Sequence, residues 1–159
     1  EARRINDAYG TERAPAILLR VEHHGAQTVR DLYRSADVAM VTSLHDGMNL
    51  VAKEYVAARD DDLGVLLLSV FTGASRELHE ALLVNPYSAE QTGEALARAL
   101  AMPPAEQRER MRTMRAWVRS HNIYRWAGSM LIDAARVRSR ERVTARIEQL
   151  QRRPLKVAV

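Results

Sequence analysis

Short apolar runs alternate with segments of helical period along the first half of this chain, and that alternation limits its fold more than any other feature. Val38-Ala39-Met40-Val41 and Gly64-Val65-Leu66-Leu67-Leu68-Ser69 read as buried strands. Ala16-Ile17-Leu18-Leu19-Arg20-Val21, after Pro15, predicts an earlier strand, and Leu82-Leu83-Val84, closed by Asn85-Pro86-Tyr87, a later one. Between them, Val29 to Ala36 places apolar residues at helical spacing with Thr28 as its N-cap. A second helix is expected from Asn49 to about Arg59, ended by Asp60-Asp61-Asp62 as a solvated turn, and a short one near Ser75–Glu80. Strands joined through helices predict an α/β fold, a parallel sheet with helices on both faces. Ligands of such sheets bind beyond the carboxyl ends of the strands.

From Ser88 onward the pattern is helical only. One helix is expected from Ser88 or Glu90 to about Met102, where Pro103-Pro104 breaks it. Pro104 suits the first turn of the next, which runs to about Ser120. After His121-Asn122 comes a helix holding Trp126, Met130 and Leu131, and then a basic segment expected to be helical to about Gln151 and to fray at Pro154. The net charge of +4 sits in that segment: Arg136 to Lys156 carries eight Arg or Lys against two Glu. The chain therefore divides into a slightly acidic body, residues 1–135, and a basic tail, residues 136–159. Val137, Val143, Ile147 and Leu150 recur along the tail at rough helical spacing, which predicts packing on a partner or a further domain. Binding to nucleic acid or to a membrane is not expected.

The absence of cysteine excludes disulfides, thiolate metal sites and cysteine nucleophiles. No apolar run approaches the ~20 residues of a membrane span, and no signal peptide is visible, so a cytoplasmic location is expected. The chain begins with Glu, which predicts a piece of a longer protein. No metal site is expected: His23 and His24 point to opposite sides of a strand, and no ligand pattern follows Asp60-Asp61-Asp62. His79 and His121 read as surface residues, and Trp117 and Trp126 as packing anchors.

Asp46-Gly47-Met48-Asn49-Leu50-Val51-Ala52-Lys53-Glu54 is the segment that bears on function. With Asn49 as N-cap, the amides of Leu50, Val51 and Ala52 have no partner inside the helix. They add to a partial positive charge of roughly +0.5 at that end, which together suits a phosphate. Gly47 lets the backbone come close to a ligand. Glu54 is placed to accept two hydroxyls of a ribose, and Asp46 those of a second sugar. An anion site between two diol acceptors has the shape of a nucleotide-sugar site. Asp-Gly before Asn is also ordinary turn and cap chemistry, and the residues alone leave both readings open.

The longer run from Asp37 to Ala57 resembles the trehalose-6-phosphate synthases, retaining glycosyltransferases whose two Rossmann-like domains face each other across a cleft in the GT-B architecture. Ile5-Asn6 with Tyr9-Gly10, the Gly64–Ser69 run, Phe71-Thr72-Gly73-Ala74, Leu83–Tyr87 and Trp126 follow in the family's order, so the resemblance covers about residues 1–135. It implies an α/β Rossmann-like parallel sheet, the carboxyl-terminal half of a GT-B fold, followed by a helical segment. It implies UDP-glucose as donor, glucose 6-phosphate as acceptor, and no metal or other cofactor. Asp46, and backbone at Met48 and Asn49, would hold the donor glucose. The amides of Leu50 and Val51 would bind the diphosphate, Glu54 the ribose, and His24 and Val29 would frame the uracil. Gly47, Ala52 and Lys53 complete the expected donor-binding run. The leaving diphosphate would deprotonate the acceptor, so no catalytic side chain is assigned. His45 stands where the family usually has Arg, His24 where it has an aromatic, and Val70 where it has a polar residue, departures that bear on donor preference.

The family's acceptor domain, and the basic pair that grips the diphosphate, have no counterpart in this sequence. The resemblance thus implies that the chain does not turn over alone. A glucosylglycerol-phosphate synthase, a pseudo-glycosyltransferase joining cyclitols, or a non-catalytic regulatory subunit would share the same donor half. A homo-oligomer is compatible with all of these.

Overall fold

The computed structural model describes residues 1–11 and 13–151. The expected fraying at Pro154 and the packing of Leu150 fall outside what it describes. The elements are α1 (Ala2–Tyr9), α2 (Ala26–Ser35), β1 (Val38–Val41), α3 (Leu50–Ala58), β2 (Val65–Ser69), a 3-10 turn (Gly73–Arg76), β3 (Leu82–Val84), α4 (Ala89–Leu100), α5 (Pro104–Ser120) and α6 (Ile123–Gln151).

The strands form one parallel sheet in the order β1-β2-β3, with Val38 opposite Val65 and Leu67 opposite Leu82. β1 and β3 are its edges. β2 is buried at all five positions, as a strand covered on both faces must be. Its side chains alternate. Leu66 and Leu68 pack with Val41, Ala52, Tyr55 and Val56 from the α3 side and with Met111 and Met114 of α5. Val65 and Leu67 pack on the opposite face with Leu82, Ala99 of α4 and Met102. The expected parallel sheet with helices on both faces is what the chain forms, and a helical carboxyl-terminal segment follows it.

Several local expectations are corrected. Residues 16–21 form no strand, and Leu18, Leu19 and Val21 are largely exposed. A strand exists only against a ladder partner, and here the Asn6 side chain occupies the main chain instead: the Ile17 amide donates to its Oδ1 at 2.6 Å, and its Nδ2 donates to the Ile17 carbonyl at 2.8 Å. α2 starts at Ala26, with Gly25 in the N-cap position instead of Thr28. The helix expected near Ser75–Glu80 is the 3-10 turn Gly73–Arg76. Asp60-Asp61-Asp62 is not a merely solvated turn. Asp60 pairs with Arg34, Asp61 with Arg59, and Asp62 with Arg112 and Arg115, which ties the end of α3 to α2 and α5. His121 is no isolated surface residue: its ring stacks on Trp117 at 4.0 Å. Trp117 packs against the core as expected, whereas Trp126 is half exposed. α6 is one helix of 29 residues.

The carboxyl end of α3 is fixed twice over. Gly64, with φ +91, makes the turn into β2, where a side chain would strike the Tyr55 hydroxyl. Arg59, 5% exposed, follows the last turn. Its Nη1 donates to the carbonyls of Tyr33, Arg34 and Ala36 at 3.3, 2.9 and 2.6 Å, and its Nε and Nη2 grip Asp61 at 3.0 and 2.9 Å. One guanidinium therefore satisfies the orphan carbonyls at the end of α2 and binds them to α3.

Candidate functional site

The loop after β1 runs beyond the carboxyl end of the sheet, beside the loop after β2. The Asp46 amide donates to the Phe71 carbonyl at 3.4 Å, and the Gly73 amide to the Asp46 carbonyl at 2.9 Å, so parallel pairing continues past the strand ends. Gly73 is required for this approach, because a Cβ there would overlap the Gly47 carbonyl. Gly47 itself meets nothing on its side-chain face and leaves the approach to the turn open.

The Asp46 carboxylate closes the turn. Its Oδ1 accepts from the amides of Met48 at 3.2 Å and Asn49 at 2.9 Å, and its Oδ2 from Asn49 Nδ2 at 2.9 Å. These bonds, led by the Asn49 amide, hold its pKa below the ordinary carboxylate value against an opposing effect of partial burial. Asn49 adopts a left-handed φ of 57, which Asn tolerates better than most residues. Its Oδ1 then accepts the Ala52 amide at 2.9 Å, the capping bond that starts α3.

The amides of Leu50, Val51 and Ala52, all expected to be open, are thereby sorted, and those of Met48 and Asn49, expected at the donor glucose, are already engaged. Those of Met48 and Asn49 serve Asp46, and that of the fully buried Ala52 serves Asn49. The amides of Leu50 and Val51 have no acceptor among the described residues, and both residues are about half exposed. Two unpaired amides at a helix N-terminus are the local requirement for an anion. The turn and cap reading of this segment is realised by the amides of Met48, Asn49 and Ala52, and the anion reading is left with those of Leu50 and Val51.

Glu54, one turn further on, is exposed and accepts from the Tyr33 hydroxyl at 3.4 Å. Burial, and then the Glu54 charge, raise the Tyr33 pKa. Tyr33 also sets its ring edge-on to Tyr55. A cleft of about 690 Å³ lies between α2 and α3, lined by His24, Val29, Arg30, Tyr33 and Glu54 among others. It brings together three of the residues expected at the site, His24, Val29 and Glu54, while Asp46 lies outside it. Lys53 does not join them. Its ammonium pairs with Glu77 and stands 5.4 Å from the centroid of the Trp117 ring. Among the described residues no group of three or more acidic or histidine side chains gathers as a metal site, and no helix is long and apolar enough to cross a membrane.

Tyr33 and Gly73 were not among the residues expected at the site. Tyr33 was legible as the residue four after Val29 on the same helical face. Gly73 carried no local signal beyond membership of a loop.

The profile of Glycosyltransferase family 20 matches residues 1–136. The trehalose-6-phosphate synthase of Sinorhizobium fredii is 48% identical over 134 residues, covering 84% of this chain and 29% of that protein. The glucosylglycerol-phosphate synthase of Picosynechococcus is 40% identical over 131 residues, covering 82% and 26%. An E. coli protein solved bound with UDP-2-fluoro glucose superposes with a TM-score of 0.80 at 42% identity, covering 83% of this chain and 30% of that one. The chain thus spans less than a third of the length of these relatives.

Proposed function

The chain belongs to glycosyltransferase family 20, and on that premise we propose that it is the donor-binding part of an α,α-trehalose-phosphate synthase. The full enzyme would transfer glucose from UDP-glucose to glucose 6-phosphate with retention. The observation that carries this reading is the pair of unpaired amides at Leu50 and Val51, held between the carboxylates of Asp46 and Glu54.

In this reading the diphosphate takes those two amides and the positive end of α3. The ribose hydroxyls take Glu54, which Tyr33 steadies, and the uracil enters the cleft at His24 and Val29. Asp46 uses its remaining acceptor site, on Oδ2, for a glucose hydroxyl, since two carboxylate oxygens offer about four sites and the turn takes three. The bond from the glucose anomeric carbon to the diphosphate breaks as the bond to the acceptor oxygen forms on the same face. The acceptor proton passes to the departing diphosphate. The reading calls for no protein nucleophile and no metal.

A glucosylglycerol-phosphate synthase is the second reading, favoured by the 40% identity to such a protein. It shares the donor half and differs at the acceptor. Calorimetric titration with UDP-glucose, ADP-glucose and GDP-glucose tests the common part. UDP-glucose is expected to bind, and Glu54→Ala to weaken it at least ten-fold. Failure of all three sugars to bind would favour a non-catalytic remnant, and unchanged binding by Glu54→Ala would remove the ribose assignment.

A further inference from the structure

We infer that the segment from Phe71 to Glu77 is the positioning element of the donor site, with Gly73 its critical residue and Glu77 its outer tether. The inference rests on the donor reading above. None of these residues belongs to the Asp46–Glu54 run, yet the segment holds that run from behind at two places.

The first is the turn. Phe71 and Gly73 take both main-chain groups of Asp46, through the Asp46 amide at 3.4 Å and the Asp46 carbonyl at 2.9 Å. Asp46 then reaches forward with its carboxylate to Met48 and Asn49, and Asn49 caps Ala52. The carboxylate bonds that shape the turn ahead of Leu50 and Val51 therefore start from a residue that Gly73 holds. Gly73 is not in the left-handed region. Alanine suits its own backbone, and the whole steric penalty of a Cβ falls on the Gly47 carbonyl opposite.

The second is α3 itself. Glu77 follows the 3-10 turn and pairs with Lys53, the two side chains being 35% and 20% exposed. Lys53 also lies over Trp117 of α5. A pair this far withdrawn from water holds position better than a surface bridge, which contributes little.

The segment is stiff enough to serve. Thr72 and Ser75 are buried. The Thr72 hydroxyl donates to the Ser69 carbonyl at 2.9 Å, and the Ser75 hydroxyl to the Thr72 carbonyl at 2.7 Å. The fully buried β2 thus fixes the segment, and the segment fixes the turn.

The test is made on the 159-residue chain. Gly73→Ala is expected to weaken UDP-glucose binding at least ten-fold by calorimetry. In the ligand-free protein it should move the amide NMR resonances of Gly47 to Val51 and leave those of Leu66 to Leu68 in place. Binding equal to wild type, or weakened binding with the Gly47–Val51 resonances unmoved, overturns the inference and leaves the donor reading standing. If the wild-type chain binds no nucleotide sugar, the donor reading fails on its own, and the ligand-free resonances decide whether Gly73 sets the turn. Should Gly73→Ala not fold, Glu77→Gln decides. About three-fold weaker binding with moved Lys53 resonances supports the inference, and wild-type binding overturns it.

Discussion

Both oxygens of Asp46 face its own turn, and this gives the residue a pH signature. The folded carboxyl has a lowered pKa, with the Asn49 amide as the main cause, while in the unfolded chain it titrates near the ordinary value of about 3.9. Between those two values the unfolded chain binds a proton that the folded one does not. The stabilisation is therefore complete above the ordinary value and is lost as pH falls through the lowered one. Asp46→Asn should be less stable than wild type in urea denaturation at neutral pH, with the gap narrowing in acid. A gap that stays constant to the lowest accessible pH would show that the charge-assisted bonds to Met48 and Asn49 are not its source. Tyr33 shows a second residue-scale effect. Burial and a neighbouring carboxylate both favour its neutral phenol, so it stays a hydrogen-bond donor to Glu54 across the physiological range.

Elements here are defined as much by what grips their ends as by their own period. Arg59 joins α2 to α3 through three carbonyls and Asp61. Hydrogen bonds to a charged group contribute ~1.5–3 kcal/mol each and are not additive. Arg59→Ala is expected to cost about 2–4 kcal/mol in urea denaturation; a loss below about 1 kcal/mol would mean that water replaces the guanidinium at little cost. The elements legible in the sequence are those whose signals are local. β1 and β2 are short apolar runs. α4 opens on Ser88, whose hydroxyl accepts the Gln91 amide, and α5 opens on Pro104. The Asp46–Asn49–Ala52 bonds each span three residues or fewer, so the turn and cap were readable as well. Other features depend on distant partners. The apolar run at residues 16–21 lacks a strand to pair with. The Asp60-Asp61-Asp62 turn is organised by Arg34 and Arg112, which lie 26 and 50 residues from their partners. Gly73 acquires its role only when two loops meet.

At the scale of the whole molecule, the chain spans less than a third of its relatives, so a complete catalytic cycle is not expected of it. Incubated with UDP-glucose and glucose 6-phosphate, the purified chain should form no trehalose 6-phosphate above blank; measurable product would show that the acceptor can be held without residues beyond these. α6 extends the body by a helix of 29 residues, on which Val137, Val143 and Ile147 are each about half exposed. The sheet itself ends, among the described residues, in edges of four residues at β1 and three at β3. At roughly 3.3 Å per residue, neither edge offers an arriving strand much more than ~13 Å of ladder. An exposed edge is a template for self-association, and brevity is one of the ways proteins blunt it. Short edges at β1 and β3 therefore leave little ladder for edge-to-edge stacking. Lengthening either edge would extend the template that the chain offers to a second copy of itself.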